Sequence, residues 1–415
     1  MSQVKLVEHI FRHEYGLLVA SLVRRVGTLH LDAVEDAVQF AMMQALEFWV
    51  RQRPPENPNA WLYKVAYRKL LTELRKDQRQ CRILYEQWVP SAAGDADQSV
   101  EPPLEGEMTD ALLRMLFVTC NDAIPTESQL VFTLKSLCGF NVNEIAQRLF
   151  ISEANVYKRF SRARHLLQQL PLPIEQLSDI EISARLSGVH QILYLVFTEG
   201  YLSSHCDLAI RRDLCEEAIR LTVLLSESRL GKQPATYALL ALMYLHLSRF
   251  STRQDSVGAL ILLEEQDRTE WDQLLITMGL ECLQQSANGD QLTRYHIEAG
   301  IAAEHCMATS FEQTRWDRIV EAYELLGRIS PSPMMHLNKA IALAEWQGAE
   351  VALQSLQSFK LPAWLEKSYY WHAVQADLLE RCGEFESALQ SAHRAMRLAP
   401  TEQIKKLLVK RLAFS

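Results

Sequence analysis

The stretch VFTLKSLCGFNVNEIAQRLFISEANVYKRFSRARHLL, Val131 to Leu167, has two helical periodicities separated by a short turn. Ile145, Ala146 and Leu149 recur at i, i+1 and i+4, and Val156, Phe160, Ala163 and Leu167 follow at helical spacing beyond Phe150-Ile151-Ser152. The pattern predicts two helices on one small core. Ser152 suits the N-cap of the second helix, and Glu153 places a carboxylate in its first turn, at the positive end of the helix dipole. Outside the apolar stripe stand Asn155, Lys158, Arg159, Arg162 and Arg164, donors of the kind that base edges and phosphates accept. Four cations fall within seven residues with no acid among them, which favours a DNA-reading helix over an ordinary solvated face.

A chain of 415 residues exceeds one domain, and its formal charge of −8 is wrong for a DNA binder until it is divided by position. Residues 1–80 hold 12 Lys and Arg against 9 Asp and Glu, and residues 129–170 hold 6 against 2. Between them, residues 81–128 hold 2 against 9. Two weakly basic modules therefore flank an acidic connector. The last 245 residues carry 23 bases and 31 acids, so a protein suits them as partner better than a nucleic acid. The eight cysteines show no C-x-x-C and no close Cys/His quartet, which argues against a structural zinc site and fits core thiols in a reducing compartment. No metal or other cofactor is expected. No apolar run opens the chain, and nowhere do eighteen apolar residues stand together, so a cytoplasmic protein with no membrane partner is expected.

The first module begins with apolar positions from Val4 to Val26, closed by Gly27 as a helix C-cap. From Asp32 to Val50 a broad buried stripe leaves Glu35, Asp36 and Gln39 clustered on another face, as a docking surface or as simple solvation. The proline-rich loop RQRPPENPN, residues 51–59, leads into a helix expected over 60–79. Lys64, Arg68, Lys69, Arg75, Lys76 and Arg79 stand outward on it, interleaved with Tyr63 and Tyr67, a composition that suits an unstacked DNA strand. Residues 90–108, rich in Pro, Gly, Ser and acids, read as a flexible linker. From about Ile180 the chain reads as helices in pairs. Ala376, Gly383, Phe385, Ala388, Ala395 and Pro400 match the small and turn positions of a tetratricopeptide repeat, and a step of 36 residues back gives Ala340 and Ala352 near Gly348.

With these segments in order, the sequence resembles bacterial sigma factors of the extracytoplasmic-function (ECF) class, in the group with a long tetratricopeptide-like C-terminal extension. FRHEYGLLVASLVRRVG, VEDAVQFAMMQALEFW and NPNAWLYKVAYRKLLTELRK resemble the region that holds the polymerase clamp and melts the minus-ten element. IPTESQLVFTLKSLCGFNVNEIAQRLFISEANVYKRFSRARHLL resembles the region that reads the minus-thirty-five element. LYLVFTEGYLSS and LLEEQDRTEWD resemble segments of the extension. The resemblance implies an all-α fold, with two small helical sigma modules, the second a helix-turn-helix, followed by a tetratricopeptide-like α-solenoid. The domains would be sigma region 2 at 1–85, linker at 86–108, region 4 at 109–170 and extension at 171–415.

By the same resemblance, Glu35, Asp36 and Gln39 face core RNA polymerase at the clamp of its largest subunit. Asn59, Lys64, Arg68, Lys69, Arg75 and Lys76 meet minus-ten DNA, and Asn155, Lys158, Arg159, Arg162 and Arg164 meet minus-thirty-five promoter DNA. Phe40, Arg68 and Thr72 depart from the family's common acid, Asn and Asp. The implied protein is a non-enzymatic initiation subunit whose extension regulates it, through an unidentified protein partner or a signal. The alternative reading is a free-standing helix-turn-helix regulator with a ligand-binding solenoid. An enzyme within the extension has little in its favour: Glu199, Glu264, Glu265, Asp267, His305 and His336 share no catalytic or ligand spacing. EEQDRTEW reads instead as a clasp that holds helices through Arg268 and Trp271.

Overall fold

The computed structural model describes residues 3–51, 55–84, 102–149, 151–169, 178–201, 211–255, 261–400 and 402–412. Every regular element among them is a helix. The chain divides into two compact units, Met1–Val196 and Phe197–Ser415. The change of unit lies inside a helix, later than the boundary expected at residue 171.

In the first unit α1 (Gln3–Val26), α2 (Leu31–Arg51) and α3 (Pro58–Leu84) form a bundle. Gly27 ends α1 at φ +87°, and its N–H reaches the Val23 carbonyl at 2.7 Å, the left-handed stop that its position predicts. The Asn57 side chain accepts from the Ala60 N–H at 2.9 Å and caps α3, while Pro58 occupies its first turn. The helix therefore begins just before the expected Ala60, and it runs past Arg79 to Leu84. Leu18, Leu22, Val34, Val38, Leu62 and Leu70 are fully buried between the three helices, each worth about 1.5–3 kcal/mol of transfer free energy.

The second half of this unit comprises α4 (Glu105–Thr119), α5 (Thr126–Phe132), α6 (Val142–Leu149), α7 (Glu153–Gln169) and most of α8 (Asp179–Tyr201). Helix α4 starts inside the expected linker: the Leu104 N–H donates to Glu107 at 3.0 Å, and Glu105 and Glu107 sit in its first turn. Most of that linker, residues 86–101, lies outside the described residues. After α5 the chain widens into one π-helical turn, Thr133–Leu137.

In the second unit the helices follow as α9 (Arg212–Glu227), α10 (Pro234–Leu247), α11 (Gln273–Ser286), α12 (Arg294–Met307) and α13 (Trp316–Ile329). Next come α14 (Pro333–Gln347), α15 (Ala349–Gln357), the single turn α16 (Ala363–Glu366), α17 (Tyr369–Arg381), α18 (Phe385–Leu398) and α19 (Glu402–Arg411). Helices α14 and α15 hinge at Gly348, φ +98°, and Gly383, φ +82°, lies in the turn between α17 and α18. Ala340, Ala352, Ala376, Ala388 and Ala395 are all fully buried, so the 36-residue spacing read from the sequence marks positions where paired helices approach closely. Arg381 Nη1 meets Glu345 at 2.6 Å, joining positions one such repeat apart.

Candidate nucleic-acid interface

Helices α6 and α7 form the helix-turn-helix that the apolar spacing predicts. Ile145, Ala146, Val156, Phe160, Ala163 and Leu167 are all buried, and Phe160 stacks on Phe132 of α5 with ring centroids 5.6 Å apart. A reciprocal capping box fixes the start of α6: Asn141 Oδ1 accepts from the Glu144 N–H, and Glu144 from the Asn141 N–H, both at 2.8 Å. The Ser152 hydroxyl accepts from the Asn155 N–H at 3.3 Å at the head of α7, as expected.

The apolar stripe of α7 turns Asn155, Lys158 and Arg162 to solvent in one row at i, i+3 and i+7. Ser161 and Tyr157 are also exposed beside them. The other two cations expected to touch DNA are occupied. Arg159 is half-buried, with Nη2 at 2.9 Å from Glu127 of α5, and Arg164 is ion-paired to Asp32 of α2.

On α3, Lys64, Arg68 and Arg75 are exposed at a spacing that keeps them on one side of the helix, and Lys76 is exposed too. Lys69 is half-buried, lies 5.2 Å from the Phe40 ring centroid and bonds Glu73 at 2.7 Å; Glu73 also takes Lys76 at 3.2 Å. Asn59, half-buried, lies in the first turn of α3. The tyrosines are not a stacking platform for bases. Tyr63 is fully buried and lies parallel to the half-buried Tyr67 at 6.1 Å, with the Arg25 guanidinium over both rings. Burial pushes the Tyr63 phenol up to about 12. Tyr63 follows the apolar period of the helix, and its core role outweighs the cations beside it.

The three residues expected to meet polymerase divide. Asp36 and Gln39 are exposed on α2, whereas Glu35 is 4% exposed. Its carboxylate accepts from Lys135 Nζ at 2.5 Å and from the Ser136 hydroxyl at 2.7 Å, both from the π-helical turn of the second module. Gly16 of α1 lies at the same seam: a Cβ there would fall 2.1 Å from the Leu137 carbonyl oxygen. Arg24 of α1 adds an ion pair to Asp110 of α4 at 3.5 Å. A glycine, a buried carboxylate and two ion pairs thus close the first module on the second. Sequence patterning missed this seam because its partners are a hundred residues apart.

In the second unit the EEQDRTEW clasp acts as expected. Arg268 donates to the carbonyls of His305 at 2.7 Å and Ala308 at 2.9 Å and to the Thr314 hydroxyl at 3.1 Å, bridging to the end of α12. Glu264 and Glu265 ion-pair with Arg411 and Lys410, both at 2.8 Å. Asp267 caps a single turn through the Thr269 N–H, and His336 stacks on Phe359 at 4.2 Å. Among the described residues no group of three His, Cys, Asp or Glu side chains is arranged to hold a metal ion, and no helix is long and apolar enough to cross a membrane.

Comparison with known families matches residues 11–80 to the sigma-70 region 2 model and residues 114–167 to the sigma-70 region 4 model. Residues 185–287 match a family of unknown function, DUF6596. An uncharacterized protein of Rhizobium meliloti (strain 1021) is 34% identical over 388 residues, 92% of this chain and 91% of its own length. No solved structure matches. Two promoter-reading regions in order, on the helices just described and followed by a helical extension, place this chain in the sigma-70 family as an ECF-type sigma factor for promoter recognition.

Proposed function

We propose that this sigma factor grips its promoter at two points and that release of the seam between its modules is a step in its use. Lys158, Asn155 and Arg162 on α7 read and hold the minus-thirty-five element, with Arg159 and Arg164 joining once their carboxylates let go. Lys64, Arg68, Arg75 and Lys76 on α3, with Asn59 and Lys69 beside them, follow the minus-ten strand. Asp36 and Gln39 dock on the clamp of the largest polymerase subunit, joined by Glu35 when the modules part. The subunit performs no catalysis of its own. Its few free cations release few counterions, so it binds promoter DNA firmly only within holoenzyme.

The observation that carries this reading is the engagement of Glu35 by Lys135 and Ser136: a residue of the polymerase-facing cluster is held by the module that reads upstream DNA. In this reading the tetratricopeptide-like extension responds to a signal or protein partner and sets how readily the seam opens. Run-off transcription with core polymerase tests both parts. Lys158→Ala is expected to lower transcript by about 10-fold or more, the loss of one base or phosphate contact, while holoenzyme still forms on a sizing column. A chain ending at Val196 is expected to differ from the full chain in transcript yield; equal yields would remove the extension from regulation.

A further inference from the structure

Around Trp271 and Tyr201 the second unit gathers three arginines with no carboxylate within 4 Å among the described residues, Glu312 acting on Arg268 only from farther off. Arg249 and Arg268 each lie 5.1 Å from the Trp271 ring centroid, so their charges are within about 10 Å of each other. Arg253 lies 3.9 Å over Tyr201, whose ring is 4.6 Å from His246. Among the described residues none of these three arginines has an acidic partner within 4 Å; Arg253 and Arg268 bond backbone carbonyls and one hydroxyl instead. Arg249 is buried, where an uncompensated charge is costly, and the half-buried Arg253 and Arg268 add mutual repulsion.

Arg249 is the least satisfied of the three. It is 9% exposed, and Nε and Nη2 both point at one neutral oxygen, Gln266 Oε1, at the long limit of 3.4 Å. The same neighbourhood holds three buried polar atoms with no hydrogen-bond partner: Trp271 Nε1, His246 Nδ1 and His305 Nδ1. Trp271 itself is 2% exposed. An indole N–H without an acceptor, in the neighbourhood of a guanidinium that meets only one neutral oxygen, is a pair of donors that an anion would satisfy. The field of the arginines, added to burial, also holds both histidines neutral. Arg249 and Arg268 border single 3-10 turns, Phe250–Thr252 and Arg268–Glu270, which can shift without unwinding a long helix.

We propose that Arg249, Arg253 and Arg268, with Trp271 beneath Arg249 and Arg268, form a binding site for a small phosphate-bearing anion. The planar fork of arginine matches phosphate oxygens, and a dianion answers an excess of up to three charges better than a monocarboxylate. All the arginines, Tyr201, His246 and Trp271 lie within the segment that matches the family of unknown function, whereas His305 is outside it. The site deepens the regulatory reading of the extension and rests on that reading only for its meaning in transcription.

Inorganic phosphate is the probe. Thermal unfolding of the full-length protein is followed in sodium phosphate and in sodium chloride of equal ionic strength at one pH. Because excluded phosphate stabilises folded proteins generally, the readout is the difference between wild type and Arg249→Met. Phosphate is expected to raise the wild-type midpoint saturably by about 5 °C more than it raises that of Arg249→Met. In chloride Arg249→Met is expected to unfold no earlier than wild type, since an unpaired charge has gone. Arg249→Lys, which keeps the charge and loses the fork, is expected to need about 10-fold more phosphate for half the effect. Arg212→Met, an exposed arginine of the same unit, is expected to behave as wild type. Equal midpoint shifts in wild type and Arg249→Met, or a shift that rises without saturation in both, would overturn the site. No polymerase enters these measurements, so loss of the site leaves the run-off comparison standing, and equal yields in that comparison leave the site standing.

Discussion

Glu35 shows how one buried side chain serves two partners at once. Its carboxylate is almost wholly removed from water, yet both oxygens are used, one by Lys135 and one by Ser136. Removal of one member of a buried pair leaves the other without compensation, which is more damaging than removal of both. Glu35→Ala is therefore expected to lower the stability of the first unit by about 3 kcal/mol, and Lys135→Met added to it to restore more than half. Urea unfolding of the single and double variants measures both. Local pattern marked Glu35 only as one of three polar residues on a buried helix, with docking and solvation equally open until the family resemblance favoured docking. The distinction between Glu35, buried, and its neighbours Asp36 and Gln39, exposed, depends on a turn a hundred residues away and cannot be read from local pattern. Tyr63 is the converse case: its burial followed from the period of α3, while the surrounding cations suggested a place beside DNA.

At the scale of elements, the parts legible in advance are those specified within a few residues. The stripe of α7, the Ser152 cap, the Gly27 stop and the buried alanines of the terminal pairs all depend on spacing and local chemistry. The early start of α4 was hidden because Glu105-Gly106-Glu107 has linker composition, although acids in a first turn also suit a helix start. The arginine cluster was hidden as well, because Arg249 and Arg253 look like ordinary surface charges in LHLSRFSTRQ.

That cluster makes the second unit sensitive to acid. His246 near the end of α10 and His305 near the end of α12 are both pushed down from 6.5 to about 3, first by burial and then by the arginines around them. Below pH 6.5 the unfolded chain takes up protons that the folded one refuses, so their contribution is fully present above that pH and is lost as pH falls towards 3. Each histidine is expected to remove about 2 kcal/mol between pH 6.5 and pH 5. The urea midpoint of the second unit should fall over this interval, and less steeply in a His246→Gln, His305→Gln double variant.

At the scale of the whole molecule, a sigma factor with two promoter-reading modules is joined to a helical unit longer than both modules together. Stacked helix pairs ordinarily exchange energy only with their neighbours, so damage at one end stays there. Here α19 turns back. Ile404, Leu408 and Leu412 are buried with Ala376, Ala392 and Ala395, and the next side chains, Lys410 and Arg411, reach Glu265 and Glu264 about 145 residues earlier. Exposed ion pairs of this kind add little energy, about 1 kcal/mol at most, but they join distant parts of the chain. Leu408→Ala is expected to cost about 2–4 kcal/mol and to hasten amide exchange at residues 263–270 as well as in α18 and α19, as hydrogen-exchange mass spectrometry would report. A last helix tied to Glu264 and Glu265 couples the end of the chain to its middle, so the two are expected to loosen together. The turn Leu263–Glu265, beside Gln266 that meets Arg249, is thereby linked to α19.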